Sequence, residues 1–183
     1  MAQAETGELF VGAYLRIIRR CPIVQYNMRD EARGAQSEVD VLGLDYAGKA
    51  LYVCEVITHI GGALYSGPNS KDETVKRVSE KFNRHRSWVS AAFPEFPGPV
   101  FMLWSPYVPV GAKTAAFEDM AATWPGPGSL ELRINGNYAE AMRELVASAG
   151  REEKQRGEEF YRMLQLLTHL RDSGNRRLTL RFQ

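Results

Sequence analysis

The sequence is poor in the residues from which most recognisable sites are built. Of 183 residues, two are cysteine and three are histidine. Cys21 and Cys54 both lie in apolar runs, so reduced core thiols are expected rather than a disulfide framework. His59, His85 and His169 share no zinc spacing with them. A dominant charge is missing as well: 23 Lys and Arg against 22 Asp and Glu leave a net +1, so any basic surface must be local. No apolar run nears the ~20 residues that span a bilayer. No charged-then-apolar leader opens the chain, and the expectation is no membrane partner and a cytoplasmic location. No Ser–His–Asp arrangement can be argued. The glycine-rich "HIGGALYSG" lacks the lysine and spacing of a phosphate-binding loop.

What is present reads as one globular domain, 44% hydrophobic and 25% charged. Residues 5–20 have helical periodicity, with Phe10, Val11, Tyr14, Leu15, Ile17 and Ile18 on one face. Pro22 ends that helix, and "PIVQYN" is a short strand candidate. The polar "MRDEARGAQ" leads to two strands, 38–45 and 50–58, around Ala47-Gly48. Ser70 or Asp72 can cap a helix over 72–90 whose Val75, Val78, Phe82 and Val89 share a face. "VFMLW" is a buried strand, "GAKTAAFEDMAATW" a helix and "SLELRI" an alternating strand. A helix runs from Tyr138 to Ala149, and residues 151–159 continue or interrupt it. Phe160, Met163, Leu164, Leu167 and Leu170 then mark an amphipathic helix, and the tail "RRLTLRFQ" alternates like an edge strand. This order predicts an α/β domain with a mixed sheet covered on both sides. A single domain, 1–183, is expected, with a core over about 5–135 and a C-terminal helical extension over about 137–183.

The segment "SEVDVLGLDYAGKALYVCEVITH" places acids among strand residues. With the turn centred on Ala47-Gly48, paired residues have numbers that sum to 95, and Asp40 faces Glu55. Their Cβ atoms are then roughly 4.5–5.5 Å apart, on a face shared with Leu42, Leu44, Leu51, Val53 and Ile57. Two like charges on an apolar face repel each other and lose hydration, which a divalent cation would offset. Glu38 lies on the same face, as a further ligand or a solvated strand end.

A helix with an early glutamate, then "SEVDVLGLD…LYVCEV", then another helix, resembles the αβββαβ core of the PD-(D/E)XK nuclease superfamily, over residues 5 to 105. The resemblance implies a restriction-endonuclease-like fold and a Mg²⁺-dependent nuclease (Mn²⁺ as an alternative) that acts on nucleic acid, DNA foremost. It implies that Asp40 and Glu55 bind the metal and that Glu8 assists them. It departs at Ile57, where the superfamily has a lysine. Lys81 on the following helix is the preferred replacement and Lys71 the second, because both flank or join its apolar stripe, whereas Lys76 lies almost opposite. If neither acts, the alternative is an inactive nuclease-fold module for nucleic-acid binding or partner recruitment.

Lys71, Lys76, Arg77 and Arg84, with Arg86, form a basic helix face suited to a phosphate backbone, and Arg176, Arg177 and Arg181 add a second cluster. His59 falls on the Glu55 face, His85 within the helix stripe, and His169 among apolar residues. The 160–170 stripe offers a surface for a homodimer or a protein partner.

Overall fold

The computed structural model describes residues 3–29, 38–58 and 71–170, with 71 and 72 described by their backbone alone. The elements are α1 (Thr6–Ile17), β1 (Ile23–Arg29), β2 (Glu38–Asp45), β3 (Ala50–Val56), α2 (Lys71–Ala92), β4 (Val100–Ser105), α3 (Ala112–Ala122), β5 (Ser129–Ile134), α4 (Asn135–Ala149) and α5 (Glu159–His169). The five strands lie side by side in the order β1-β2-β3-β4-β5. The first three are antiparallel, and β4 and β5 add on in parallel. A parallel neighbour requires a crossover, and α2 supplies it between β3 and β4.

The hairpin that carries the acids has the expected register, from Val41 opposite Cys54 to Asp45 opposite Ala50. Its turn is held by Asp45, whose Oδ1 accepts the N–H groups of Ala47 and Gly48 at 3.0 Å each. Lys49 takes the left-handed backbone, φ 51°. At the far end α1 stops at Ile17, earlier than its periodicity implies. The Cys21 N–H turns back to Leu15 O at 3.0 Å, and Arg20 sits at φ 59° just before Pro22.

Alternation along the strands sorts their side chains to two faces. Leu42, Leu44, Leu51, Val53 and Ile57 pack with Phe101 and Leu103 beneath Val78, Phe82 and Val89 of α2 and Phe117 of α3. Val41, Cys54, Met102 and Trp104 form the opposite core with Phe10, Tyr14 and Leu15 of α1, Leu145 of α4, and Tyr161 and Leu164 of α5. Both cysteines are buried and free. The domain is therefore α/β, a five-stranded mixed sheet with helices on both faces. Among the described residues no helix is long and apolar enough to cross a membrane.

Two glycines let α1 lie close to the sheet. A Cβ on Gly12 would fall 1.9 Å from the Tyr26 hydroxyl, and one on Gly7 would fall 2.2 Å from Thr58 Cγ2. The second approach holds the first turn of α1 against the end of β3.

The last helix departs from its expected face. Residues 151–158 interrupt the helical run, with Gly157 at φ 79°. Tyr161, Leu164 and Gln165 are then the buried residues of α5, while Met163, Leu166 and Leu170 are exposed. Hydrogen bonds of two α5 side chains, three in all, accompany this rotation. Tyr161 and Ser148 share a hydrogen bond of 3.0 Å, and the Gln165 amide donates to the carbonyls of Glu152 and Lys154 at 2.7 and 2.9 Å. The tail strand, the Arg176, Arg177 and Arg181 cluster, His59, and helix capping by Ser70 or Asp72 lie outside the described residues or side chains.

Candidate active site

One step beyond Val41 and Cys54, at the open end of the β2–β3 hairpin, stand Asp40 and Glu55. Both are buried, at 9% and 2% exposure. The Val56 N–H donates to Asp40 Oδ2 at 2.7 Å, which ties the first carboxylate to the strand carrying the second. Above them, Lys81 lies on α2 between the core residues Val78 and Phe82. Its Nζ donates to Asp40 Oδ1 at 3.1 Å and to Glu55 Oε1 at 2.6 Å. The remaining oxygen, Glu55 Oε2, is buried and receives no hydrogen bond.

Burial dominates the electrostatics of this group, because it penalises every charged form. Burial and then the nearby Asp40 charge push the Glu55 carboxyl up to about 8, although Lys81 opposes the shift. Burial also raises Asp40, against the pull of Lys81 and the Val56 N–H. Burial works against the Lys81 ammonium too, but the charges of Glu55 and Asp40 outweigh it and hold the proton on. Two acids and one ammonium leave the group a cation short if both acids ionise.

Glu8 lies half-buried in the first turn of α1 and feels Asp40, whose charge adds to the rise that burial causes. Its Oε2 is engaged elsewhere: it accepts the Glu5 N–H at 2.9 Å within a capping box, and Asn27 Nδ2 at 3.3 Å. Asn27 has no partner in the β1–β2 ladder opposite Asp40, and its φ is 51°. In the sequence "PIVQYN" it reads as an ordinary strand residue. Asn is one of the few non-glycine residues that visit this conformation readily, and that was the available signal.

The other expected residues separate into distinct surroundings. Glu38 pairs with Arg29 at 2.5 Å. His85 is fully buried, edge-on to Phe82, with Nε2 3.0 Å from Glu38 O and no partner for Nδ1. It lies one helical turn beyond Lys81 and joins α2 to the start of β2. His169 contacts Gln165 O at 2.9 Å, away from the acids. Lys76 and Arg77 lie on the exposed side of α2, beside Glu80 at 4.0 Å and Glu73 at 2.5 Å. Arg84 is half-buried, and Arg86 donates to Pro125 O at 2.5 Å. The Lys71 side chain lies outside what is described. Ile57, 5% exposed, belongs to the hydrophobic core on the Glu55 face, and its N–H bonds Trp104 O at 2.8 Å.

The donor set fits a hard divalent cation of the Mg²⁺ type. Such an ion keeps several waters and needs only one or two protein carboxylates beside a substrate phosphate. Among the described residues no three His, Cys, Asp or Glu gather into a complete metal cage, so Asp40 and Glu55 would serve as a two-carboxylate set with Oε2 already free of donors. No protein-family model matches the chain, and comparisons with curated proteins and with solved structures find no match.

Proposed function

We propose that the protein is a Mg²⁺-dependent phosphodiesterase acting on nucleic acid, DNA foremost, on the restriction-endonuclease-like arrangement that its sequence resembles. Mn²⁺ is the alternative ion. The observation that carries this reading is the Lys81 ammonium, delivered from α2 to the two buried carboxylates, Asp40 on β2 and Glu55 on β3, with Ile57 two residues past Glu55 where the superfamily has lysine. The element order α1-β1-β2-β3-α2-β4 supports it as well.

When bound, Mg²⁺ supplies Lewis-acid chemistry and offsets charge that develops on phosphate oxygens. Asp40 and Glu55 would hold it. Lys81, with three donors on a long stem, orients the attacking water and steadies the phosphate. Glu8 adds negative potential at the same end of the sheet, while Lys71, Lys76, Arg77 and Arg84 on α2 hold the backbone that flanks the scissile bond.

The test is cleavage of single- and double-stranded DNA and RNA with Mg²⁺ or Mn²⁺, with Asp40→Asn and Glu55→Gln expected to be inert. A second reading has its own observation. Ile57 is a core residue and Lys81 already closes the pair, as in a fold kept for nucleic-acid binding or for recruiting a partner or second copy through the exposed Met163, Leu166 and Leu170. Wild-type protein inert on every substrate, with activity gained on Ile57→Lys, would establish that second reading.

A further inference from the structure

We propose that Lys81 is the resident counter-ion of the acidic pair, so that its ammonium must leave Asp40 and Glu55 before a divalent cation can share them. This rests on the metal-site reading above and adds an order of events to it. The ammonium reaches one oxygen of each carboxylate, at 3.1 and 2.6 Å, so it occupies the oxygens that a shared cation would use. Two positive charges cannot occupy that space without strong repulsion. The carboxylates themselves are not free to move apart. Asp40 is tied to the Val56 N–H, and Glu55 is 2% exposed on a strand paired on both sides.

Lys81 is the adaptable member. Its side chain is 22% exposed against 3% for Glu55, and it ends a flexible stem rooted on a different element. Leaving Oε1, it swings towards solvent, where a phosphate and an attacking water would stand. Glu55 Oε2, buried without a donor, is a ligand atom that Lys81 does not occupy and that the ion can use once the ammonium has moved aside. The metal-free protein is thereby kept folded around two buried acids, and the lysine is released for its second role only when the ion arrives.

Two measurements on the full chain test this. In protein labelled with ¹³C at lysine Cε, with Lys81 assigned by its loss in Lys81→Arg, Mg²⁺ should move the Lys81 signal along a saturable curve. In calorimetric titration with Mn²⁺, Lys81→Met should bind more tightly than wild type, by on the order of tenfold or more, since a contacting like charge has been removed. Adding Asp40→Asn to Lys81→Met should abolish that gain. Equal or weaker Mn²⁺ binding by Lys81→Met, or saturable binding to wild type with the Lys81 signal unmoved, overturns the displacement while leaving the metal site in place. No Mn²⁺ binding to either protein removes the metal site and this inference with it. If Lys81→Met fails to fold, the lysine signal of the wild type decides alone.

Discussion

At the scale of single residues, the proposed function rests on Lys81 taking the role that position 57, an isoleucine, does not supply. Lys81→Ala is expected to reduce Mg²⁺-dependent cleavage by roughly 10²–10⁴-fold, as when a positioned proton-handling group is lost. With Mg²⁺ present to cover the acids, DNA affinity should hardly change, because the ammonium then acts mainly in the transition state. Ile57→Lys in that background should recover part of the rate, since residue 57 shares the Glu55 face; ~1 Å of misplacement can cost around a hundredfold. Steady-state cleavage by the two variants checks both points. His85 gives a separate prediction in pH. Burial, followed by the charge of Lys81 and then that of Arg84, holds its folded pKa at about 4, below the ordinary 6.5, against the single favourable contact with Glu38 O. Between those values the unfolded chain binds a proton that the folded chain refuses. The stability from His85 is therefore complete above about 6.5 and is lost as pH falls towards 4. In full it is about 3 kcal/mol, at up to ~1.4 kcal/mol per pH unit. Glu55 acts in the opposite direction between its ordinary 4.5 and about 8, where stability falls as pH rises. Only the difference between wild type and His85→Gln isolates the histidine. Urea midpoints across pH 4–7 should fall less steeply on the acid side in His85→Gln.

At the scale of elements, legibility followed the range of the forces involved. In the β2–β3 hairpin, β2 was readable to the residue, 38–45, and so was the register, because strand alternation about a turn centred on Ala47-Gly48 is a local fact of the sequence. Strand β3 ends at Val56, two residues before the expected 58, and the turn is the four-residue loop 46–49. The Lys81 placement was readable for a similar reason: Val78 and Phe82 define the buried side of α2, and residue 81 borders it. Where contacts between distant residues decide, the reading failed. Counting only apolar residues puts Met163 of α5, and Leu170 just past its end, on the buried side, but Gln165 is buried instead, held by carbonyls of the preceding loop. No periodicity reveals that a glutamine will find two carbonyls. The left-handed Asn27 beside Glu8 was likewise set by its neighbours. The α5 assignment can be checked directly. Gln165→Leu should destabilise the fold by about 1–3 kcal/mol although it adds apolar surface, because two loop carbonyls lose their donor. Met163→Gln, on the exposed side, should stay within about 0.5 kcal/mol of wild type, both measured by denaturant unfolding.

At the scale of the whole molecule, a net charge of +1 provides no general attraction for a polyanion, so binding must come from a patch. The exposed cations of α2 are partly compensated in place, Lys76 by Glu80 and Arg77 by Glu73. Pairs of this kind are worth only about 0.2–0.5 kcal/mol each, so a phosphate can capture both cations at little cost. Each phosphate neutralised releases bound counterions and steepens the salt dependence by about 0.9 in the log–log slope. Replacing Lys76 and Arg77 together by alanine should therefore flatten the slope for duplex DNA by roughly 2, weaken binding at low salt, and leave Mn²⁺ binding unchanged. Fluorescence anisotropy on a short duplex between 50 and 200 mM salt measures the slope. The acidic pair sharpens the expectation. Lys81 alone leaves Asp40 and Glu55 a cation short when both ionise, so wild-type affinity should rise when Mg²⁺ is added at constant ionic strength, and Glu55→Gln should lose that rise. Affinity that ignores both salt and Mg²⁺ would mean that this face does not meet a phosphate backbone. The exposed Met163 and Leu166 of α5, with Leu170 just past its end, would then be the surface that finds the partner.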